Sequence, residues 1–462
     1  MKRLCLTIED FFQLKSAVLY DAEKIKSVTK VTIDSRNVPA GSLFVAIKGD
    51  KFDGHDFVID AVNKGASVVL INSDKLSSLE NIDVPIIAVK DTTLALGELA
   101  AIWRRKLKTK VIGITGSAGK TTTKEMIFTL LSGKYKVNKT LGNNNNHIGV
   151  PLTLLSTGRN HDYLVLELGT NHFGEIKYTA EISKPDYAII SNIGNSHLEF
   201  LKNRKGVFEE KAALLNVTAS NNGILFINND DPLLIGANKK YSRRFTFGLE
   251  KKSEVKGEIV GYTDDGKPIV NLIYKGKSST FEVPLYGEQS AKNFLAAAAI
   301  AFKIGLRSEE IKRRLRKIQA VDKRLNIQRM KNFILINDTY NANPDSMEMS
   351  LQLLAQIKKY NNRVAVLGDM FELGKQSRVL HEKLSRAIIR NKINSVYTLG
   401  IMMKHLHPFL KSKKIDAVHF NDREALNNFL KEKSFANSVV LVKGSRGMKM
   451  EEFVETIKLN NK

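Results

Sequence analysis

Two rhythms alternate along this chain. Short apolar runs rich in β-branched residues, such as SVVLI (67–71), KVIGI (110–114), YLVLEL (163–168) and DYAII (186–190), have the length and composition of buried strands. Between them apolar positions recur every three or four residues, the spacing of one face of a helix. Over residues 1–90 this predicts short strands at 31–33 and 43–47, a helix from His55 into AVNKGA, and the strand SVVLI. A helix, TTLALGELAAIWRRKLK, leads into the strand at 110–114 and a helical segment at 124–131. Further strands follow at YLVLEL, DYAII and GILFI, and GVFEEKAALL is helical. From about 255 to 286 the period falls to two, with Asp265-Gly266 placed as a hairpin turn, which predicts a β-insertion. SAKNFLAAAAIAFKIG returns to the helical period, and SEEIKRRLRKI follows with Ser308 as its expected N-cap. From Val321 strand and helix alternate strictly: NFILIND, SMEMSLQLLAQIKKY, RVAVLGDM, a helix near His381, SVYTLG, IMMKHLHPFL, AVHF, REALNNFLKE, SVVLVKG and a last helix. That order predicts a separate open parallel sheet.

Composition narrows the class. A chain of 462 residues exceeds one ordinary core and gives a prior of roughly three domains. No apolar run is long enough to span a bilayer, and the start MKRLCLTIEDFFQ turns acidic before a signal-type apolar stretch develops, so a cytoplasmic protein without membrane insertion is expected. The lone Cys5 has no partner for a disulfide and no neighbouring ligand set, and reads as a half-buried thiol. The net charge of +24 invites a nucleic-acid reading, in which the protein is a nucleic-acid-stimulated ATPase. Against it, Lys and Arg are spread over the whole length on outer helix faces, without the interleaved aromatics of a single-strand platform. A solvated basic surface that favours anionic substrates, with no nucleic-acid partner, is the better account.

The chemistry gathers at KVIGITGSAGKTTT (110–123). Strand, small-residue loop and helix succeed one another, which points the loop's N–H groups at a phosphate on the helix's positive end. Lys120 then reaches terminal phosphates and the Thr121 hydroxyl can ligate Mg2+, so a nucleoside triphosphate is the implied ligand. The general pattern places a glycine where this chain has Ile114. Downstream, the asparagine run in TLGNNNNHIGVP is either a solvated loop or a lining of the substrate channel. Glu167 ends a buried strand where a Mg2+ ligand belongs, the alternative being a salt-bridged strand end. His197 emerges at the C-terminal end of a parallel strand, where open α/β sheets place their sites. Lys211, by spacing alone, reads as a surface lysine. In the first ninety residues the turn at Asp34, Ser35 and Arg36 and the loop from Gly49 to His55 suit a diphosphate or a sugar, although loops of any α/β module look similar. Loops following strands at DTYNANPDS, GDMFELG and KGSRGM are further candidates.

Taken together these blocks resemble the Mur ligase family, ATP-dependent amide ligases of peptidoglycan precursor synthesis. TGSAGKTTTKE matches that family's phosphate loop, including the absent early glycine; GNNNNHIGVP, ELGTNHFGEI and NIGNSHLE are similar to its asparagine block and metal-site strands. NDTYNANPDSM and VLGDMFELG resemble the blocks of the member that adds D-alanyl-D-alanine to UDP-N-acetylmuramoyl-tripeptide, as against members adding one amino acid or the folate polyglutamylating ligases. The resemblance implies an α/β protein of three domains: a small mixed N-terminal domain binding the UDP-precursor (1–90), a central parallel sheet of the P-loop ATPase type carrying the β-hairpin insertion (91–321), and a C-terminal Rossmann-like open parallel sheet binding the dipeptide (322–462). It implies that Thr115, Gly116, Ser117, Ala118, Gly119, Lys120, Thr121 and Thr122 hold ATP, with Asn293, Arg324 and Asp338 near adenine, γ-phosphate and ribose. Thr121 and Glu167 would hold one Mg2+, and His197 a second together with Lys211 as its carbamate. Lys120, Glu167, His197 and Lys211 are thus the implied catalytic set. Gln289 and Ser290 stand where relatives often have His-Asn. Asp34, Ser35, Arg36, Gly49 and His55 are implied for the uridine diphosphate, Tyr340, Asn341, Asn343 and Ser346 for the dipeptide, and the family suggests a monomer.

Overall fold

The structure, a computed structural model, describes residues 4–79, 82–238, 240–263 and 266–460. Its strands form three sheets, and the chain is an α/β protein of three domains. The first sheet contains β1 (Val18–Tyr20), β2 (Val31–Thr32), β3 (Ser42–Val45), β4 (Ala66–Asn72) and β5 (Ile86–Val89), in the order β1-β5-β4-β3-β2. It is parallel apart from β1, which runs antiparallel to β5.

The helix Thr92–Arg105 joins this sheet to the next domain. Asp91 caps it, accepting from the amides of Thr93 (2.8 Å) and Leu94 (2.9 Å), which supplies two of the partners a helix start lacks. Its apolar stripe is fully buried, and Trp103 at its end donates from the indole to the Thr157 carbonyl at 2.8 Å. Truncating such a ring costs on the order of 3–5 kcal/mol, so this one side chain holds the helix against the segment that follows Gly149–Leu155.

The central sheet comprises β6 (Lys110–Thr115), β7 (Val137–Lys139), β8 (Tyr163–Glu167), β9 (Tyr187–Ile190), β10 (Ile224–Asn228), β11 (Arg244–Gly248), β12 (Val255–Tyr262), β13 (Pro268–Tyr274) and β14 (Lys277–Glu282). The order is β14-β13-β12-β11-β10-β9-β6-β8-β7. β6 pairs in parallel with β8 on one side and β9 on the other. Successive crossovers therefore depart in opposite directions at its C-terminal end, the crevice where open α/β sheets bind ligands. The alternating segment from 255 onward forms the expected antiparallel hairpin, β12 and β13, and joins the central sheet. β11, which the sequence pattern did not mark, pairs with β10 and β12, and β12–β14 continue the same sheet as an antiparallel meander. Asp265 lies outside the described residues, while Gly266 turns with φ +89° and its amide donates to Thr263 at 2.8 Å. Ser308 is the first residue of the helix Ser308–Leu315, not its cap. The cap is Arg307, whose amide is held by the Glu310 carboxylate at 2.9 Å.

The third sheet holds β15 (Asn326–Arg329), β16 (Ile334–Asp338), β17 (Asn362–Gly368), β18 (Ser395–Leu399), β19 (Asp416–Phe420) and β20 (Ser438–Lys443), in the order β15-β16-β20-β17-β18-β19. All but the edge strand β15 are parallel. The last strand inserts between β16 and β17, which brings the loops after these three strands side by side. IMMKHLHPFL forms two short pieces, a 3-10 turn Met403–Leu406 and a helix His407–Lys411, because Pro408 has no amide to continue a ladder and sits in the first turn of the second piece.

Beneath those pieces the Thr398 hydroxyl contacts His407 Nε2 at 2.8 Å and His419 Nδ1 at 3.0 Å. One hydroxyl has one proton, so it donates to one ring and accepts from the other, an arrangement that needs the accepting imidazole neutral. Burial, then the neighbouring His419 and Lys411, pull the His407 pKa from 6.5 down to about 4. A depressed histidine pKa means the unfolded chain takes up the proton first, so this contribution is present above about pH 6.5 and is lost as pH falls toward 4. Thermal melting followed by circular dichroism is expected to show a midpoint that falls through this window, and to fall less steeply in His407→Gln.

Candidate active site

The turn between β6 and the helix Lys120–Ser132 requires glycine for two steric reasons. Gly119 adopts φ +79°, and a Cβ there would stand 2.2 Å from Asn293 Oδ1; a Cβ on Gly116 would stand 1.9 Å from Ser191 Oγ. The turn is thus wedged between the loop after β9 and the helix Glu288–Ile304. Ser191 Oγ donates to the Ala118 carbonyl at 2.6 Å. The amides of Ser117 and Ala118 both donate to Asn192 Oδ1, at 3.1 and 2.9 Å. Two amides expected to face phosphate are therefore held inside the protein, and anion-binding capacity concentrates on the helix start at Gly119, Lys120, Thr121 and Thr122. Lys120 folds back so that Nζ donates to the Gly116 carbonyl at 2.7 Å. Burial depresses its pKa, the Glu167 carboxylate opposes that, and the Arg324 charge adds to it.

Glu167 closes β8 and is buried, with a carboxylate that is only half satisfied. Oε1 accepts from Thr121 Oγ1 at 3.1 Å and from Asn145 Nδ2 at 2.9 Å, whereas Oε2 has no hydrogen-bond partner. The ammonium of Lys124, itself fully buried, lies 3.5 Å from Oε2 and donates to the Gly142 carbonyl at 3.0 Å. An orphaned carboxylate oxygen beside a hydroxyl and a phosphate-binding turn fits a small hard cation. Among the described residues no three His, Cys, Asp or Glu side chains converge as a ready-made cage. Mg2+ takes one or two protein ligands and completes its shell with phosphate oxygens and water, so Glu167 and Thr121 would suffice to hold it.

His197 follows β9 in a left-handed conformation, φ +53°, and its Nδ1 contacts Glu372 Oε2 at 2.5 Å. Burial lowers its pKa, and the Glu372 carboxylate works the other way. Lys211 is on the helix Arg204–Ser220 but not on its solvent side, as spacing alone suggests; it is 1% exposed. Burial foremost, then the charge of Lys120, lowers its pKa well below the ordinary value, with Glu210 opposing. Glu210 is occupied elsewhere, accepting from Thr170 Oγ1, Gly174 N and Ile176 N at 3.1, 2.7 and 2.8 Å. Lys211 is accordingly a desolvated amine whose charged form burial disfavours.

The three loops of the third sheet close over these groups and leave a cavity of about 440 Å3. Ser117, Ala118, Gly119, Lys120, Thr122, Glu167, His197 and Asn293 line it from the central domain, with Asn143 and Asn145 of the asparagine run. Arg324, Asp338, Tyr340, Asn341, Asn343 and Ser346 line it from the C-terminal domain. Thr115, Gly116, Thr121 and Lys211 stand behind that lining. Several of the implied dipeptide and ribose groups are committed to the protein itself. Asn343 and Ser346 form the capping box of the helix Pro344–Gln356, and Asn343 Nδ2 also reaches the Ser117 carbonyl at 3.4 Å. Asn341 Oδ1 accepts from the amides of Ala342 and Arg446 at 2.9 and 3.2 Å. Asp338 accepts from Leu325 N (3.0 Å), Ser350 Oγ (2.6 Å) and the buried ammonium of Lys443 (2.5 Å). Arg324 stacks on the Tyr340 ring at 3.8 Å from its centroid, which presents the guanidinium to the cavity. Gln289 donates to Asn293 Oδ1 at 2.9 Å.

None of the five residues implied for the uridine diphosphate lines this cavity. Arg36 forms a two-pronged pair with Asp34 (2.8 and 2.8 Å) that holds the carboxyl down to about 2, and the Ser35 carbonyl accepts from Lys64 at 2.8 Å. Both His55 nitrogens are used internally: Nδ1 meets Asp53 at 2.5 Å and Nε2 accepts from Asn72 N at 2.9 Å. The ring therefore fixes the 47–54 loop to β4 and presents no free polar atom. Residues that sequence reasoning did not single out are Lys124, Asn192, Glu372 and Lys443. All sit in blocks already picked out, but the signal there was the block and not the residue.

Three family descriptions match the chain in succession: Mur ligase family, catalytic domain, over residues 27–104; Mur ligase middle domain over 114–301; and Mur ligase, glutamate ligase domain, over 323–446. The chain belongs to the Mur ligase family and is a ligase. It is 34% identical to UDP-N-acetylmuramoyl-tripeptide–D-alanyl-D-alanine ligase of Bacillus subtilis, covering 98% of each chain. Its fold superposes on MurF of Acinetobacter baumannii with a TM-score of 0.89 at 29% identity, covering 99% of this chain and 100% of the other. MurF of Thermotoga maritima in complex with ADP gives 0.82 at 29% identity, covering 93% and 97%.

Asn192→Ala is expected to release the Ala118 amide, the Ser117 amide keeping the Asn192 carbonyl at 3.1 Å, and to loosen the turn. Isothermal titration with ADP should show binding weakened roughly tenfold, the scale of one to two lost hydrogen bonds.

Proposed function

We propose that the protein joins D-alanyl-D-alanine to UDP-N-acetylmuramoyl-tripeptide at the expense of ATP, a step of peptidoglycan precursor synthesis, and that it does so as a cytoplasmic monomer. The observation that carries this reading is the single cavity that receives the helix start at Lys120, the half-satisfied Glu167, His197 and the loops of the C-terminal domain. Among the described residues no helix is long and apolar enough to cross a membrane.

A peptide carboxylate is a poor electrophile because its charge is delocalised over both oxygens. ATP with Mg2+ supplies an electrophilic γ-phosphoryl group, and capture of that group by the carboxylate gives an acyl phosphate with a good leaving group. Lys120 and Arg324 face the transferring group and neutralise charge as it moves from the leaving ADP oxygen to the carboxylate. Thr121 and Glu167 are placed to hold one cation, His197 and Lys211 a second. The amine of the dipeptide then attacks the acyl carbon and expels phosphate. Closure by the loops carrying Tyr340 and Asn343 excludes the water that would hydrolyse the acyl phosphate first. Lys211 enters as a carbamate: its neutral amine adds to CO2, the nitrogen forms a bond to carbon, and one proton leaves to solvent. This turns a buried amine into an anionic oxygen ligand, which its lowered pKa favours. Asp34, Ser35, Arg36 and the 49–55 loop anchor the uridine diphosphate end, with His55 shaping the loop.

Phosphate release is expected only when ATP, the tripeptide precursor and D-alanyl-D-alanine are all present. Release stimulated by RNA or DNA in place of the precursor would overturn the ligase reading. Lys211→Ala is expected to lower kcat by at least about a hundredfold, and protein equilibrated with 13C-bicarbonate should show a carbamate carbon resonance that the variant lacks. Full activity in the variant would remove Lys211 from the mechanism.

A further inference from the structure

His197 and Glu372 belong to different domains, and each adopts a conformation that side chains rarely take: φ is +53° at His197 and +60° at Glu372. Single left-handed residues of this kind persist only where surrounding structure over-determines them. Here the two strained loops lock into each other. The Glu199 amide donates to the Glu372 carbonyl at 3.0 Å, and Gly374, at φ +53°, lies so close that a Cβ would be 3.1 Å from the Glu199 Cα. Next to this contact Asp345 Oδ2 accepts from the Asn195 amide at 2.7 Å, holding the same loop from the neighbouring C-terminal helix. The geometry fixes the imidazole: Nδ1 points at Glu372 Oε2, 2.5 Å away, and Nε2 makes no hydrogen bond among the described residues, while the residue lines the cavity.

We propose that Glu372 is the positioning residue for His197, accepting its Nδ1–H so that Nε2 is left unprotonated and turned into the cavity as a cation ligand. The cation site of the central domain is therefore completed from the C-terminal domain, and the docking of that domain and the orientation of the ligand are one event. A histidine that binds a metal through one nitrogen needs the other nitrogen's proton held, and loss of such a partner typically weakens metal binding 10–100-fold. Glu372 fits this role from 175 positions away in the chain. The inference rests on the ligase reading for the identity of the cation.

The test uses the full-length protein without turnover, so it stays readable even if the ligase assay fails. Histidine labelled with 15N reports the tautomer, with the His197 signals identified by their loss in His197→Gln. Mn2+ titrated into the ADP-loaded protein and followed by electron paramagnetic resonance reports cation affinity. Wild-type protein is expected to hold the Nδ1–H tautomer. Glu372→Ala should give a mixture and weaken Mn2+ binding about 10–100-fold with ADP affinity unchanged, and Glu372→Gln, which keeps an acceptor oxygen, should restore most of both. The proposal is overturned by an Nε2–H tautomer in the wild type, by an alanine variant matching the wild type in both readouts, or by a glutamine variant as impaired as alanine.

Discussion

Everything in this molecule that handles phosphate hangs on the loop after β9, residues 191–197. Its polar side chains hold the glycine turn from one side through Ser191 and Asn192. Its far end meets the C-terminal domain through Asn195 and His197. A dozen hydrogen bonds of ordinary strength would not by themselves stabilise such an arrangement against chain entropy. The loop is held because β9 lies deep in a parallel sheet and because the central and C-terminal domains converge on it. Removing either of them would leave buried polar atoms unpaired, and that penalty is what makes the junction specific.

The electrostatics follow from the same geometry. Lys120, Lys124, Lys211 and Lys443 are drawn into or beside a cavity whose carboxylates include Glu167, Asp338 and Glu372. Lys443 is neutralised by Asp338, and Lys124 lies beside Glu167. Lys211 forms no ion pair with a carboxylate among the described residues, and burial disfavours its charged form. The same side-chain type is thus ion-paired at Lys124 and Lys443 and desolvated at Lys211, according only to what lies within a few ångströms.

How much of this was legible in the chain depended on how local the chemistry is. The glycine turn, Lys120 and Thr121 are contiguous and must be, because one turn of backbone makes the anion site. Glu167 and His197 were legible because strand ends in parallel sheets converge. Asn192, Glu372 and Lys443 carry no such mark: their partners lie 75, 175 and 105 positions away, and an asparagine, a glutamate and a lysine are ordinary in loops. Lys211 read as a surface residue because the apolar period on its helix does not reveal that β9, β10 and the helix Glu175–Ser183 of the same domain enclose it. β11 was missed because RFTFG is short and partly polar, and it becomes a strand only through the neighbours that flank it. The cap lies at Arg307 and not at Ser308 because Glu310, three residues on, takes the Arg307 amide.

The helix Glu288–Ile304 has one further implication. From Phe294 to Phe302 every side chain is buried, and the small alanines let it lie close to the helix Lys120–Ser132 while Asn293 touches the glycine turn. Scaffold and reaction centre are here a single mechanical body with no slack between them. On this stretch an added methyl group is at once a packing defect and a displacement of the glycine turn.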